Sequence, residues 1–146
     1  MAGRKDFYSW NGETSLKMNL ILRINQIEEL SPVDYDKQGS AGIDLRASGR
    51  WVIDLDREKG NQREIKQESY ELLPQERVLI LAGIEVEIPE GYYGDVRDRS
   101  GNALYHGLHV LAGVIDPSYR GEIGILMTNT GKGLTRLQKM KESPRW

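Results

Sequence analysis

Short apolar runs separated by turn residues constrain the fold of this chain more than any other feature of its 146 residues. The run Ile84–Ile88 alternates apolar and acidic side chains, as a strand with one buried face does. Turn signals such as Pro89–Gly91 lie between such runs, whereas Asp56–Glu71 is strongly polar and predicts a long surface excursion. The other candidate strands are 20–24, 43–47, 51–55, 77–81, 92–96, 108–115 and 122–128. About eight short strands predict an all-β single domain, either a closed barrel or a double-sheet jelly roll.

The two ends of the chain do not follow the strand pattern. Residues 1–17 are polar and lack periodicity, so we expect a flexible extension in front of a β domain that spans residues 18–131. In residues 132–146, apolar side chains recur at every third position from Leu134 to Met140 among basic residues. This spacing predicts an atypical tail that is a short basic helix or disordered, and not a further strand.

Charge and cysteine content exclude several classes of function. Twenty Lys and Arg side chains against 22 Asp and Glu give a net charge of −2, which is not the basic footprint of a nucleic-acid-binding protein. No apolar run reaches the roughly 18 residues of a membrane span, and no apolar segment follows Met1–Asp6 as in a secretory signal. We therefore expect no membrane partner and a cytoplasmic location, or the interior of a host cell if the chain is viral. The absence of cysteine excludes disulfides, and we expect both histidines, His106 and His109, to be structural.

Three consecutive residues, Arg99, Ser100 and Gly101, are candidates for binding an anion. They offer a guanidinium, a hydroxyl and a permissive backbone, which together can hold phosphate oxygens through charge-assisted hydrogen bonds. The same three residues also fit an ordinary surface turn.

Asp116 is the candidate for acid–base chemistry. It follows three apolar residues and precedes Pro117, so a strand end can hold its carboxylate in position. A carboxylate held in this way can act as a general base toward water. An Asp-Pro pair also begins many turns without any chemical role.

The order and spacing of three motifs resemble those of the trimeric dUTP diphosphatases. The motifs are Gly39–Ala47, Tyr93–Ala103 and Ala112–Glu122, and the resemblance runs from about Met18 to Gly131. The third motif is the most specific, because an Ala-Gly-Val-Ile-Asp run is followed by a tyrosine three residues after the aspartate. The resemblance implies a jelly-roll barrel of the β-clip type, a homotrimer, and hydrolysis of dUTP to dUMP and pyrophosphate in nucleotide metabolism.

The resemblance implies roles for the residues around the triphosphate. Arg99, Ser100 and Gly101 would bind its phosphates, and Asp116 would orient and deprotonate the water that attacks the α-phosphorus. Asp44 would lie near a Mg²⁺ ion and act on it through bound water. A single carboxylate suffices for that task, since Mg²⁺ keeps several of its waters.

The resemblance also implies how the nucleoside is recognised. The backbone from Val110 to Gly113 would form a hairpin that recognises the edge of uracil and leaves no room for the methyl group of thymine. Tyr119 would stack beneath the deoxyribose and exclude a 2′-hydroxyl, which discriminates against ribose.

The sequence departs from the family pattern at two places. Asp98 stands where proline is usual, and a carboxylate near a triphosphate is unfavourable unless it points away or helps to hold metal. After Gly131, the expected Arg-Ile-Ala-Gln strand and the arginine-bearing arm that covers the substrate are not recognisable. One permitted set of codons for Lys141–Trp146 encodes Arg-Ile-Ala-Gln-Met in a shifted frame. We therefore expect a divergent or frame-shifted, truncated C-terminus and reduced activity.

Two other functions fit the same fold. A dCTP deaminase would need a glutamate on the strand after the third motif, where Gly124–Thr128 carries no acid, and an arginine where this chain has Leu104. The other alternative is a non-catalytic nucleotide-binding or regulatory protein with the dUTPase fold.

Overall fold

The structure is a computed structural model that describes residues 5–7, 22–26, 42–55 and 60–139. The described residues form eleven strands and one short helix. The strands are β1 (Lys5–Phe7), β2 (Leu22–Gln26), β3 (Arg50–Ile53), β4 (Arg63–Lys66), β5 (Ser69–Leu72), β6 (Arg77–Glu87), β7 (Gly94–Asp95), β8 (Leu108–Leu111), β9 (Val114–Ile115), β10 (Glu122–Asn129) and β11 (Thr135–Gln138). The helix, α1, spans Ser100–His106.

The strands form one large antiparallel sheet and two small ones. The large sheet has the order β1-β2-β6-β10-β8, with β3 also paired to β6 and β4 paired to β3. The small sheets pair β5 with β11 and β7 with β9. This arrangement confirms the predicted all-β fold. The pairing of β7 with β9 places the third motif beside the second.

The centre of the large sheet is β6, which combines two runs predicted as separate strands. Along most of β6 buried and partly buried residues alternate, so that Val78, Ile80, Ala82, Ile84 and Val86 face the core. The core also contains Trp51, Leu72, Leu108, Ile123 and Ile125. Burial of this apolar surface is the main favourable term in folding and supplies the rigid wall on which the candidate site is built.

Several local predictions differ from the structure. Residues 43–47 are not in a strand, although they pack against the core. The polar segment predicted as a surface excursion instead contains β4 and β5, because the ladder hydrogen bonds of a strand do not require apolar side chains. The turn expected at Arg99–Gly101 begins α1, and the single strand predicted over residues 108–115 is divided into β8 and β9 at Ala112–Gly113.

The ends of the described chain also differ from expectation. The prediction that the segment from Leu134 is a short helix or disordered, and not a strand, is wrong over Thr135–Gln138, since β11 pairs with β5 and buries Leu137 between exposed Arg136 and Gln138. Burial in β11 therefore follows a period of two, and the threefold spacing of apolar residues did not reflect a helix. Near the other end, β1 pairs with β2, which departs from a wholly flexible extension over residues 1–17. The other predictions made for residues 1–17 and 140–146 concern positions outside the described residues.

Candidate functional site

A tight bend between β8, which pairs with β10, and β9, which pairs with β7, forms one wall of the candidate site. Ala112 has a φ of 53°, in the left-handed region that non-glycine residues seldom adopt. Gly113 follows it, and its carbonyl oxygen accepts a hydrogen bond of 2.8 Å from the Val96 N–H. A Cβ atom at position 113 would clash with the Val96 carbonyl oxygen, so only glycine fits there. The segment predicted as a hairpin from Val110 to Gly113 is thus a bend that joins strands of two different sheets, because its two arms pair with β10 and β7 and not with each other. Its backbone is closely packed on the segment around Val96.

A turn after β9 brings Asp116 and Tyr119 together. The Tyr119 N–H donates to the Asp116 carbonyl oxygen at 3.0 Å, which closes the turn. The Tyr119 hydroxyl donates to the carbonyl oxygen of Glu122 at 2.7 Å. The Arg120 guanidinium donates to the carbonyl oxygens of Pro117 and Tyr119 and so stiffens the same turn. Asp116 and Tyr119 line a hollow of about 130 Å³ together with Val110 and Ala112, so both predicted residues lie beside the bend between β8 and β9.

A second group of predicted residues lies around the start of α1. Arg99 is the N-cap residue of this helix, and its carbonyl oxygen accepts a bond from the Ala103 N–H. Its guanidinium nitrogen Nη1 lies 3.2 Å from Asp44 Oδ2, so these two predicted residues form an ion pair. Ser100 and Gly101 are the first two residues of the helix. Asp44 and Arg99 line a larger, mostly apolar groove of about 390 Å³.

The predicted site residues thus fall into two groups within one chain. Asp116 and Tyr119 line the smaller hollow, and Asp44 and Arg99 line the larger groove. The two spaces have common walls, including Val96 and Val110. The structure of the single chain brings the bend between β8 and β9 to the Asp116–Tyr119 turn, and it brings Asp44 to Arg99.

Asp98 links the two groups through contacts that were not predicted from the sequence, since it precedes Arg99 and bonds to Val110. Its Oδ1 accepts a bond of 2.6 Å from the Val110 N–H, and its Oδ2 lies 2.8 Å from Nδ1 of His109. Burial raises the pKa of the Asp98 carboxyl, but the bonds from His109 and the Val110 N–H outweigh this and hold that pKa below its ordinary value. An acid directly before Arg-Ser-Gly was the only signal in the sequence.

The described residues contain no group of three or more His, Cys, Asp and Glu side chains that could enclose a metal ion. Asp44 is therefore a candidate to hold a metal ion as a single carboxylate, and not as one of several protein ligands around the ion. Also among the described residues, no helix is long and apolar enough to cross a membrane.

Comparison with known sequences points to one family. A family model described as dUTPase matches residues 65–141, a segment that contains the second and third motifs but not the first. The deoxyuridine 5′-triphosphate nucleotidohydrolase of Chlamydia pneumoniae is 44% identical over 100 residues, which are 67% of this chain and 57% of that protein. The enzyme of the same name from Rhizobium etli (strain CIAT 652) is 39% identical over 122 residues, which are 82% of this chain and 68% of that protein. The chain thus spans 57% to 68% of the length of these two relatives.

Comparison with solved structures agrees with the sequences. The dUTPase from phage phi11 of S. aureus is similar with a TM-score of 0.58 and 27% identity, over 75% of this chain and 60% of that one. The dUTPase of Staphylococcus bacteriophage 80alpha is similar with a TM-score of 0.64 over 86% of this chain and 90% of that one, and at 21% identity it shows the fold alone. These likenesses confirm the dUTPase-like β fold predicted from the motifs. By its matched family model, its relatives and its fold, this chain belongs to the dUTPase family.

Proposed function

We propose that this chain hydrolyses dUTP to dUMP and pyrophosphate, and so removes dUTP from the nucleotide pool and supplies dUMP. One observation carries the proposal: Val110 and Ala112, at the bend between β8 and β9, line one hollow with Asp116 and Tyr119. A base-recognising backbone and a carboxylate beside it are what hydrolysis of one particular nucleotide requires. We further propose that the chain acts in the cytoplasm or in the interior of a host cell, where dUTP is made.

Recognition of the nucleoside follows from the fixed backbone. The Val110 N–H is bonded to Asp98 and the Gly113 carbonyl oxygen to Val96, so the backbone between them has fixed directions. The other N–H and C=O groups of this segment would suit the donors and acceptors on the edge of uracil. Tyr119 has a 45% exposed side chain whose hydroxyl is bonded to Glu122, which leaves a face of the ring available to a sugar. The ring would discriminate against a 2′-hydroxyl by contact.

Hydrolysis itself needs a base and an arrangement of positive charge. A water molecule would lose a proton to the Asp116 carboxylate, its oxygen would bond to the α-phosphorus, and the bond from that phosphorus to the bridging oxygen would break to release pyrophosphate. Arg99, with Ser100 and Gly101, would bind the phosphates and stabilise the charge that develops on them.

The residues around Asp44 fit a magnesium ion that is held mainly by the substrate. A single carboxylate acting through water suits Mg²⁺, which is usually bound by one or two carboxylates together with phosphates. A structure of the phage phi11 dUTPase describes the coordination of a structural Mg(II) ion. When bound, the ion would neutralise phosphate charge, while Asp44 would orient its water and Arg99 would remain on the triphosphate.

The separation of the two groups of residues supports assembly into a homotrimer. Since Asp116 and Tyr119 line one space and Asp44 and Arg99 another, each group would be completed by the other group of a neighbouring subunit. A closed ring of three identical chains would form three such shared sites.

Turnover of dUTP, dCTP, dTTP and UTP tests the proposal directly. We expect pyrophosphate release from dUTP with Mg²⁺ present, and much slower release from the other three nucleotides. Ammonia release from dCTP would identify a deaminase instead, an outcome that the absence of acid from Gly124–Thr128 argues against. Binding of dUTP without any product would identify a non-catalytic nucleotide-binding protein.

A further inference from the structure

The outer edge of β8 is covered by the segment that leads into α1. Val110 pairs with Met127 of β10 on one side of β8. On the other side, β7 pairs with β9, the Val96 N–H bonds to the Gly113 carbonyl, and the Asp98 carboxylate accepts from the Val110 N–H. The carboxylate oxygen of Asp98 therefore accepts the hydrogen bond that a carbonyl oxygen of a neighbouring strand would accept at this edge of the sheet.

Both oxygens of Asp98 are engaged by successive residues of β8. One accepts from the backbone of Val110 at 2.6 Å, and the other meets the ring of His109 at 2.8 Å. The Asp98 side chain is 27% exposed, and Arg99, with its ion pair to Asp44, follows it directly in the chain. A short carboxylate with both oxygens bonded holds the backbone of its own residue in place, and with it the start of α1.

We propose that Asp98 is a positioning residue that anchors the phosphate-binding turn, Arg99 and Ser100, on the edge of β8. The inference rests on the proposed function in so far as that turn binds the triphosphate. Removing the carboxylate would release the turn from two bonds. β8 would keep its pairing with β10 and Gly113 its bond to Val96, so the wall proposed to bind the base would stay in place.

The opposite expectation follows if Asp98 is only a negative charge near the phosphates. Like charges repel, so its removal would then strengthen binding of a triphosphate. An anchoring role predicts weaker binding instead, because a displaced Arg99 no longer meets the phosphate oxygens. The sign of the change therefore separates the two roles.

The test compares Asp98→Ala, Asp98→Asn and Asp95→Ala in the full chain. Asp95 is the matched control, since it carries the same charge on the same segment but bonds to Arg97 and not to β8. The ligands are dUMP and a dUTP analogue with an imido bridge between the α- and β-phosphorus atoms. We expect Asp98→Ala to weaken analogue binding roughly tenfold and to slow dUTP turnover further, since misplacement by about 1 Å can cost about 10²-fold in rate. Binding of dUMP should change less than twofold. Asp98→Asn keeps an acceptor for the Val110 N–H and should restore part of the loss.

Hydrogen exchange supplies a readout that needs no ligand. The Ala103 N–H, bonded to the Arg99 carbonyl at the start of α1, should exchange faster in Asp98→Ala than in Asp95→Ala. Equal exchange, or tighter analogue binding by Asp98→Ala, would overturn the anchoring role. Failure of the unsubstituted chain to bind either nucleotide would count against the proposed function separately, while the exchange result would still decide whether Asp98 anchors the turn.

Discussion

The orientation of the Tyr119 ring is set by two small contacts rather than by burial. Its hydroxyl donates to Glu122, and the ring passes so close to Gly121 that a Cβ atom there would lie 2.7 Å from the hydroxyl oxygen and 2.9 Å from the ring carbon that bears it. Position 121 therefore admits only hydrogen while the ring stays where it is. The ring face that we propose to contact the sugar therefore depends on the absence of a side chain at Gly121.

Gly121→Ala should therefore reduce the preference for dUTP over UTP. The new methyl group must displace the Tyr119 ring, and a ring that no longer fits beneath the sugar discriminates less against the 2′-hydroxyl. We expect the ratio of kcat/KM values for the two nucleotides to fall roughly tenfold. Gly133→Ala is the matched control, because a Cβ atom there meets nothing within 4 Å. An unchanged ratio in Gly121→Ala would show that the ring position does not set sugar selectivity.

Asp116→Asn should abolish turnover and leave nucleotide binding largely intact. The amide keeps the shape of the side chain and does not touch the backbone bond that closes the turn to Tyr119, but it cannot accept a proton from water. A positioned general base contributes typically about 10²–10⁴-fold, so kcat should fall by that factor. The check is single-turnover kinetics together with calorimetric titration of the imido analogue. Parallel loss of binding and rate would mean that Asp116 holds the turn instead of acting as the base.

At the scale of elements, the connection from β10 to β11 is organised by one buried amide. The Asn129 side chain donates to the carbonyl oxygens of Leu72 and Gly133, at 3.0 and 2.8 Å, and accepts from the Gly131 N–H at 2.8 Å. Buried polar groups stabilise a structure only when their hydrogen bonds are made, as they are here. The amide thereby fixes where the chain turns after β10 and directs β11 onto β5.

Leu137→Ala should destabilise the domain, whereas Leu134→Ala should not. Leu137 is 9% exposed and packs in the core from β11, while Leu134 precedes the strand and is 49% exposed. A buried Leu→Ala change typically costs about 2–5 kcal/mol of unfolding free energy, and an exposed one less than about 0.5 kcal/mol. Urea unfolding with an unchanged m-value measures both. Similar midpoints for the two variants would show that β11 contributes little to stability.

These elements show what the sequence could and could not predict. β6 and β10 were found because their alternation of apolar residues reflects burial of one face. β4, β5 and β11 were missed because each has only four residues and few apolar side chains, so that the burial of one or two of them leaves no clear alternation in the sequence. The helix α1 has no buried residue and therefore leaves no apolar period in the sequence.

The candidate site was predictable to a different extent. The motif order indicated the residues Asp116, Tyr119, Arg99 and Asp44, whose roles stay predictions. Their division into two groups could be expected only from the trimer that the resemblance implies, because distances between motifs far apart in sequence depend on the register of β8, β9 and β10. The bonds of Asp98 to β8 depend on the same pairing.

At the scale of the whole molecule, the division of the site residues has a consequence for assembly. In one chain, the carboxylate proposed as base and the guanidinium proposed to bind phosphate line different spaces. If a neighbouring subunit completes each site, a substitution of Asp116 impairs the part of a site that one chain supplies, and a substitution of Arg99 impairs the part that the next chain supplies. Chains with complementary defects can then form intact sites together.

Mixing Asp116→Asn chains with Arg99→Ala chains should therefore restore activity. Each variant alone would form only defective sites. In an equal, randomly assembled mixture, about a quarter of the sites would join an intact Arg99 from one chain to an intact Asp116 from the next, since each choice has a chance of about one half. Refolding the two variants together and assaying dUTP hydrolysis measures this. The control is an equal mixture of unsubstituted chains with the double variant, which should keep about a quarter of the activity if sites are shared and about half if they are not. No activity in the first mixture and half in the second would place each complete site within one chain.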